Sequence, residues 1–312
     1  MTESHVPVLL KQVLHYLNVK DDGVYLDCTF GAGGYSKAIL EADNTHVCAM
    51  DRDSNVMEHA EKLMVRFGDR FSINFGEFAN ITEIVQYLPF QSFDGIVFDV
   101  GVSSMQIDCA SRGFSFLKDG PLDMRMDQNQ DIDAAFIVNN YSEEELARVI
   151  RDFGDERKYK AIARAIVYAR SIQPIYNTLK LAKIVKSAVG HYNDSIHAAT
   201  RTFQALRIVV NDELEQLKRG LEDAITLLRI GGVLAVVTFH SGEDAIVKNA
   251  FNSLIKKTVK RNKYSIFSKQ KVEHQDENFE LVFKKTVAPD EEELAQNIRS
   301  RSAKLRAIRR IR

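Results

Sequence analysis

The segment from Val24 to Asp51 constrains the fold more than any other part of the chain. It begins with an apolar, β-rich run, passes through the glycine loop Gly31-Ala32-Gly33-Gly34 into a short helical pattern, and ends with a second apolar run before Asp51. This order predicts one βαβ unit of a parallel sheet. The glycines let the backbone approach a bound molecule closely, and the final acid can accept hydrogen bonds from both ribose hydroxyls. The unit therefore predicts a site for an adenosine-containing cofactor.

The charge beside the loop indicates which cofactor is favoured. Gly31 and Gly33 match the first two glycines of the dinucleotide motif, but Ser36 stands at the third position. Asp27 lies just before the loop, where a carboxylate repels a pyrophosphate and attracts a cation. S-adenosylmethionine, with its sulfonium and ammonium charges, fits this loop better than a dinucleotide. A tight structural turn is the alternative interpretation of the glycines, and Asp51 favours the cofactor.

Composition indicates an ordinary globular protein. The 312 residues, 45% of them hydrophobic, suffice for one large or two modest domains, and a net charge of −1 means that nucleic-acid binding would need local patches. Three cysteines with neither disulfide-framework nor zinc spacing favour a reducing cytoplasm and no metal site. We expect a cytoplasmic protein without membrane association, because the sequence shows neither a secretory signal pattern nor a run long enough to span a bilayer.

The remaining pattern predicts an α/β fold of the class I (Rossmann-like) methyltransferase type. Residues 71–75 and 93–99 continue the strands, about seventy residues of helical pattern follow a polar stretch, and a helix over 211–230 precedes a buried strand at 233–239. Segments 263–267 and 279–285 are expected to form a terminal antiparallel pair, which completes a mostly parallel seven-stranded sheet. We predict a methyltransferase domain over 1–107 and 201–312, interrupted by an inserted all-helical substrate-recognition domain over 108–200.

The C-terminal segment carries many basic and no acidic residues. Two interpretations are open, a phosphate-binding arm and a solvated, frayed terminal helix. The basic residues are Arg299, Arg301, Lys304, Arg306, Arg309, Arg310 and Arg312.

Three consecutive motifs carry a resemblance to a known family. Asp99 to Asp108 (DVGVSSMQID) is followed by Arg112 to Phe116 (RGFSF) and by Asp119 to Asp127 (DGPLDMRMD). The chain resembles the MraW (RsmH) family over nearly its whole length, from His5 to Ala303. The resemblance implies an S-adenosylmethionine-dependent methyltransferase that modifies the exocyclic N4 of a cytosine in the decoding centre of 16S ribosomal RNA. It implies this RNA, within the small ribosomal subunit, as partner and leaves a homodimer open.

The resemblance also implies a set of cofactor-binding residues. Tyr35 stands where the family has histidine, so its backbone amide at a helix N-terminus, and not its side chain, is the expected contact. Further departures, at Cys28, Ala198 and Gly242, lie away from the expected cofactor contacts. Phe78 could lie against the adenine or belong to the core, and Gln106 could bind the cofactor or stabilise its own loop. The implied cofactor-binding residues are Gly33, Gly34, Tyr35, Asp51, Phe78, Asp99 and Gln106.

Asp99 is the predicted catalytic residue. It ends a strand at the carboxyl edge, where open α/β sheets bind ligands, and an acceptor there can stabilise positive charge developing on an attacking amine. His240, after the fifth strand, is a second candidate, although a structural hydrogen bond is the favoured interpretation of a lone histidine.

Substrate contacts are expected from the motifs after Asp99, because the following Val100-Gly101-Val102 lacks the Pro-Pro-aromatic clamp of generic amino-methyltransferases. Phe114 and Phe116 could stack on a flipped-out cytosine, and Asp123 with Arg125 could read its polar edge or a neighbouring phosphate. The alternatives are core packing for the phenylalanines and a structural ion pair for Asp123 and Arg125. Two other functions stay open at this point, a methyltransferase acting on another substrate and a catalytically silent RNA-binding or ribosome-assembly factor.

Overall fold

The computed structural model describes residues 7–190, 197–255 and 278–312. The chain divides into two compact units, the first formed by residues 1–51, 59–100 and 217–312 and the second by residues 52–58 and 101–216. The predicted insertion, residues 108–200, lies inside the second unit, which extends beyond it at both ends and also includes the short segment 52–58.

The first unit contains a seven-stranded sheet with strand order β3-β2-β1-β4-β5-β7-β6. Strands β1 to β5 run parallel to one another, whereas β7 runs antiparallel to both β5 and β6. This topology agrees with the predicted class I methyltransferase fold. The strands are β1 (Val24–Asp27), β2 (His46–Asp51), β3 (Phe71–Phe75), β4 (Phe93–Asp99), β5 (Leu228–Thr238), β6 (Phe279–Leu281) and β7 (Lys304–Arg310).

Helices are distributed over both units. The helices of the described residues are α1 (Leu10–Leu17), α2 (Gly34–Ala42), α3 (Met57–Phe67), α4 (Ile81–Val85), α5 (Ser104–Asp108), α6 (Ala134–Asn140), α7 (Glu143–Gly154), α8 (Tyr159–Ile172), α9 (Thr178–Val189), α10 (Thr200–Val210), α11 (Glu213–Thr226), α12 (Ser241–Ile255) and α13 (Glu291–Gln296). None of them is long and apolar enough to cross a membrane.

The core of the first unit explains the continuous apolar strands in the sequence. All four residues of β1 are buried, as are the first six of β4. A parallel sheet covered on both faces needs apolar side chains at successive positions and not only at alternate ones. On one face, strand residues such as Leu26 and Phe98 belong to a cluster with Leu221 of α11 and Phe251 of α12. Burial of these strands stabilises the sheet. Asp27, Asp51 and Asp99 lie at the carboxyl ends of its strands.

The helix predicted over 211–230 is too long. Helix α11 ends at Thr226, and β5 begins at Leu228, before the two glycines. Leu228 is buried and pairs with Phe93, whereas the next paired residues are Gly95 and Val233, so residues 229–232 bulge out of the strand. Gly231 has a φ of +85°, which a glycine adopts without strain. The glycines therefore mark a bulge inside β5 and not the end of a helix.

The predicted terminal strand pair also needs correction. Strand β6 lies within the predicted segment 279–285, but it pairs with β7 at the C-terminal end of the described chain. The other predicted partner, 263–267, lies outside the described residues. Strand β7 was not predicted from the sequence, because the basic residues among its apolar ones resemble a solvent-exposed tail.

Strand β7 shows that the solvated-helix interpretation of the C-terminal segment is wrong. Leu305, Ala307 and Ile308 are buried. Arg306 donates two hydrogen bonds of 2.7 and 3.1 Å to the Asp244 carboxylate, and Arg310 donates to the Leu228 carbonyl at 2.7 Å. These arginines are therefore engaged within the first unit and do not form a free basic arm.

The second unit has its own apolar core, built mainly by α6 to α10. Ile137, Ile150, Ile162 and Phe203 are among its buried members. A capping box starts α7, since Ser142 accepts from the Glu145 amide at 3.2 Å and Glu145 accepts from the Ser142 amide at 2.7 Å.

Asn177 is the N-cap of α9, and its side chain accepts a 3.1 Å hydrogen bond from the Lys180 amide. The hydroxyl of the next residue, Thr178, donates to the Lys118 carbonyl at 2.7 Å. Thr178 thus links the start of α9 to the segment between α5 and α6.

Candidate functional site

Three acids end neighbouring parallel strands of the first unit. Asp27 ends β1, Asp51 ends β2 and Asp99 ends β4. Asp27 pairs with Ala49 on one side and with Val97 on the other, so the carboxyl ends of these strands lie along one edge of the sheet. That edge is where open α/β sheets bind ligands, and here it is acidic.

The glycine loop is tied to the acid at the end of β2. The Gly31 amide donates a 2.7 Å hydrogen bond to Oδ2 of Asp51. Gly33 has a φ of +76°, and a Cβ built there would lie 2.8 Å from the Phe30 ring. A Cβ on Gly34 would lie 2.1 Å from the Pro7 ring. The predicted cofactor residues Gly33, Gly34 and Asp51 therefore belong to one closely packed loop that side chains larger than hydrogen would disturb.

Tyr35 points its side chain into the protein. The residue is buried, and its hydroxyl donates to the Val8 carbonyl. Burial, with added repulsion from Asp99 and Asp27, holds the pKa of Tyr35 well above its usual range, so the hydroxyl remains a donor. The side chain is thus engaged inside the first unit, and only the backbone of Tyr35 at the start of α2 is left for the predicted cofactor contact.

Asp27 is completely buried beside the loop. It accepts a 2.7 Å hydrogen bond from the Ser36 hydroxyl and a 3.2 Å bond from the Thr29 amide. Burial raises its pKa to about 6, and the bonds from Ser36 and Thr29 limit the rise. The carboxyl group is therefore ionised above about pH 6, and adds negative charge to this edge.

Asp99 carries a buried carboxylate oxygen at this edge. Its Oδ1 is buried and has no hydrogen-bond partner among the described residues, while its backbone amide donates to the Thr29 hydroxyl at 2.7 Å. Burial raises the pKa of Asp99 well above its usual range, with further repulsion from Asp27 and Glu243. A buried acceptor without a donor is unfavourable unless a ligand supplies one. The site thus fits a cationic or N–H-donating ligand, as S-adenosylmethionine and a cytosine amine are.

His240 is held by Glu243 at the start of α12. The buried Glu243 carboxylate accepts the backbone amides of Phe239 and His240 at 2.7 and 3.2 Å. The His240 Nε2 lies 2.9 Å from the other carboxylate oxygen. These contacts support the structural interpretation of His240, and they place a third carboxylate close enough to raise the pKa of Asp99.

Phe78 packs within the first unit. Its ring meets that of Phe98 edge-to-face at a centroid distance of 5.4 Å, and a Cβ on Gly220 would lie 2.8 Å from it. The ring is partly buried. These contacts match the core interpretation, and contact with adenine stays a prediction.

Gln106 belongs to the second unit, where both ends of its amide are used. It forms a capping box at the start of α5, in which its Oε1 accepts from the Ser103 amide at 3.0 Å. Its Nε2 donates to Oδ2 of Asp53 at 2.8 Å. This arrangement favours the loop-stabilising interpretation of Gln106, and direct cofactor contact stays a prediction.

Arg112 connects the motifs of the second unit and was not singled out from the sequence. Its buried guanidinium donates to Asp53 at 2.7 Å and to the carbonyls of Arg125 and Met126 at 2.9 and 3.0 Å. Burial raises the pKa of Asp53, but hydrogen bonds from Gln106 and Arg112 outweigh it and lower the net pKa. The only sequence signal for this role is the position of Arg112 at the head of the RGFSF motif.

Asn211 is a second residue that the sequence did not reveal. Its side-chain oxygen accepts from the Met126 amide at 2.8 Å, and its Nδ2 donates to the Met124 carbonyl at 2.8 Å. Met124 has a φ of +64°, which is uncommon for a residue other than glycine, and these bonds hold the loop around it. Sequence patterns assign Asn211 to a helix start and give no hint of this contact.

The four predicted substrate residues all make contacts within the second unit. Phe114 is buried, and Phe116 stacks on His197 at 4.7 Å and meets Phe203 edge-to-face at 5.6 Å. The other two residues form an ion pair.

Asp123 and Arg125 pair in a two-point geometry at 2.9 and 2.8 Å. Burial raises the pKa of Asp123, but the bonds and charge of Arg125 reverse the shift and lower it. The packing and ion-pair alternatives thus describe the contacts of all four residues, and their roles in base stacking and base reading stay predictions. No group of His, Cys, Asp or Glu within the described ranges could hold a metal ion.

Comparison with known proteins gives the family. The model of the MraW methylase family matches residues 2–311. Ribosomal RNA small subunit methyltransferase H of Wolbachia sp. subsp. Drosophila simulans (strain wRi) is 48% identical over 308 residues, which are 99% of each chain. The protein of the same name from Rickettsia massiliae is 48% identical over 311 residues, 100% of this chain and 99% of that one. A crystal structure of an rRNA methylase from Streptococcus thermophilus aligns with 99% of this chain and 100% of its own, at 10% identity and a TM-score of 0.43. With a family model that spans nearly every residue and relatives that match it end to end, the chain belongs to the MraW methylase family.

Proposed function

We propose that this protein is an S-adenosylmethionine-dependent methyltransferase that methylates the exocyclic N4 amine of a cytidine in the decoding centre of 16S ribosomal RNA. The observation that carries the proposal is the buried Oδ1 of Asp99 at the carboxyl edge of a methyltransferase sheet, which has no hydrogen-bond partner in the part of the chain that the structure describes. The names of the relatives support ribosomal RNA of the small subunit as substrate. In this account the protein acts in the cytoplasm.

The first unit supplies the cofactor site. The backbone of Gly33, Gly34 and Tyr35 and the carboxylate of Asp51 are the proposed contacts, because the loop that they form is too closely packed for larger side chains. The acidic edge of Asp27 and Asp99 favours a ligand with positive charge. When bound, S-adenosylmethionine supplies an activated methyl group. The cofactor therefore fits both the shape of the loop and its charge.

Asp99 accepts a hydrogen bond from the cytosine amine in this mechanism. The amine is a poor nucleophile because its lone pair is delocalised into the ring, so an acceptor that stabilises positive charge on nitrogen lowers the barrier. A buried acceptor costs no reorganisation at the moment of reaction. Positive charge bound at this edge would also lower the raised pKa of Asp99 and so favour its ionised form. Alignment of amine and methyl group contributes about 7–11 kcal/mol more.

The second unit is the proposed recognition surface for RNA. Its loop 112–127 is held by hydrogen bonds of Arg112, Asn211 and the Asp123–Arg125 pair. We therefore expect its conformation to be rigid. A rigid loop can bind a single-stranded or locally melted segment without a large ordering cost. Assembly of the substrate into the small subunit and homodimer formation by the enzyme are further parts of the proposal.

A panel of substrates tests the proposal. Transfer of radiolabelled methyl from S-adenosylmethionine is measured with unmodified small ribosomal subunits, naked 16S RNA and DNA, and the modified nucleoside is mapped by mass. We expect N4-methylcytidine only on ribosomal substrates. Methylation of DNA instead would contradict the substrate assignment. Cofactor binding without transfer to any of these substrates would favour the silent RNA-binding factor.

A further inference from the structure

A small cavity opens between α12, β6 and β7 of the first unit. Its volume is about 70 Å³, and its apolar lining residues are Phe251, Leu281, Phe283 and Ala307. A single water molecule needs about 10–15 Å³ of such volume. The cavity therefore has room for several waters or for one phosphate group.

Basic residues also line the cavity. Lys248 belongs to α12, Lys284 and Lys285 follow β6, and Arg306 belongs to β7. The three lysines are exposed, so their ammonium groups can reach a ligand without losing all of their water. Three exposed lysines that line one small cavity make it a site for an anion.

Asp244 neutralises Arg306 but not the three lysines. It accepts two hydrogen bonds from Arg306 and lies 3.5 Å from Lys304. Across the described ranges, no carboxylate forms an ion pair with Lys248, Lys284 or Lys285. The apolar residues of the lining also limit screening by water, which strengthens the attraction for an anion.

We propose that this cavity binds a backbone phosphate of the RNA substrate. The inference rests on the proposed function, because it takes RNA as the ligand, and it adds a contact outside the cofactor edge. Phosphate contacts of lysine fix the register of a nucleic acid without reading its sequence. A polyanion gains more from such a cavity than a lone anion does, since each phosphate bound releases condensed counterions.

The cavity is separate from the carboxyl edge of the sheet. Lys248 lies about two helical turns along α12 from its start at Ser241. Arg306 pairs with Val236, two residues before the end of β5. The proposed phosphate site therefore positions RNA and takes no part at the reacting atoms.

The test compares two double variants with equal loss of charge. Lys248→Gln with Lys284→Gln removes one lining lysine of α12 and one that follows β6. Lys37→Gln with Lys218→Gln removes two exposed lysines from α2 and α11 of the same unit. Affinity for unmodified 16S RNA is measured by filter binding over a salt series, and cofactor affinity is measured alongside as a control for folding.

We expect the cavity variant to bind RNA about threefold to tenfold more weakly at moderate salt, with the slope of log affinity against log salt reduced by about 0.7 per phosphate lost. The control variant should keep the wild-type slope, and both should keep wild-type cofactor affinity. Equal slopes in the two variants would overturn the proposal. Inorganic phosphate serves as the probe for a free-anion site, and lysine-dependent phosphate binding without any change in the RNA slope would also overturn it.

The binding test is independent of methyl transfer. If the wild-type protein transfers no methyl group but the cavity variant loses RNA affinity, the phosphate site stands and the proposed reaction fails. If transfer proceeds and the salt slopes agree, the reaction stands and the phosphate site fails.

Discussion

Arg112 donates a 2.7 Å hydrogen bond to Asp53, and both side chains are buried. Asp53 follows Asp51, the proposed ribose ligand, by two residues, and the same guanidinium holds the carbonyls of Arg125 and Met126. Both residues belong to the second unit, so the ion pair holds the segment after β2 and the loop that carries the family motifs together within that unit.

Arg112→Met should strongly destabilise the protein. The variant leaves the Asp53 carboxylate buried without its partner, which costs about 3–5 kcal/mol. Urea unfolding of the protein without ligand measures the loss. Arg151→Met, which removes an exposed pair with Asp152, is the matched control and should have little effect. Adding Asp53→Asn to Arg112→Met should recover part of the stability, and a double variant less stable than the single one would contradict the role of the pair.

Asp27 should make stability fall as pH rises. Its pKa is raised to about 6 in the folded protein, above the unfolded value of 3.8, so the folded state binds more protons between these values. Protonation of Asp27 therefore stabilises the folded state by about 3 kcal/mol below about pH 4. This contribution is lost as the pH rises through about 6.

Urea unfolding from pH 4 to 8 with the Asp27→Asn variant isolates this contribution. The variant should gain stability relative to wild type across that window. A difference that does not change with pH would show that Asp27 keeps an ordinary pKa.

Gly33→Ala should damage the cofactor loop. Both the φ of +76° and the 2.8 Å approach of a Cβ to Phe30 oppose the change, so we expect a loss of stability of about 1–3 kcal/mol. Cofactor affinity should fall at least about tenfold, which corresponds to 1.4 kcal/mol.

Gly68→Ala provides the matched control. Gly68 has a φ of +57° and no atom within 4 Å of a built Cβ, so it shares the backbone strain without the clash. It should lose stability but keep cofactor affinity, as measured by calorimetry. Equal affinities of the two variants would mean that the loop at Gly33 does not hold the cofactor.

Gln106→Ala distinguishes loop support from cofactor contact. If Gln106 acts through the capping box and Asp53, its removal should cost about 1–2 kcal/mol of stability. Ser103→Ala removes the reciprocal half of the same box. We expect the two variants to bind S-adenosylmethionine with equal affinity. A selectively weaker affinity of the Gln106 variant would identify it as a direct ligand.

The βαβ unit and the positions of most parallel strands along the chain could be predicted because continuous burial leaves a clear sequence pattern. Strand β7 could not, because its arginines pair with Asp244 and Glu280, which lie about 60 and 30 residues away in the chain. The bulge at Gly231 was mistaken for a helix end, since glycine serves both purposes.

The candidate site, like the fold, could be predicted from the sequence only in part. Acids at strand ends are visible in the sequence, and Asp27, Asp51 and Asp99 follow from the pattern alone. The hydrogen bonds that decide their chemistry are not visible. Neither the engagement of Tyr35 by Val8 nor the network of Arg112 has a local signature, because each depends on residues brought together only by folding.

The proposed role of Asp99 is tested most directly by single-turnover methyl transfer with Asp99→Asn. Unmodified small ribosomal subunits are the substrate, and Asp69→Asn, an exposed change of the same kind, is the control. The account predicts that the Asp99 variant binds the cofactor and RNA yet transfers methyl to the cytosine amine about 10²–10³-fold more slowly, while the control keeps the wild-type rate. A near-normal rate in a folded Asp99→Asn protein would contradict the account, because the amine would then need no carboxylate at this strand end.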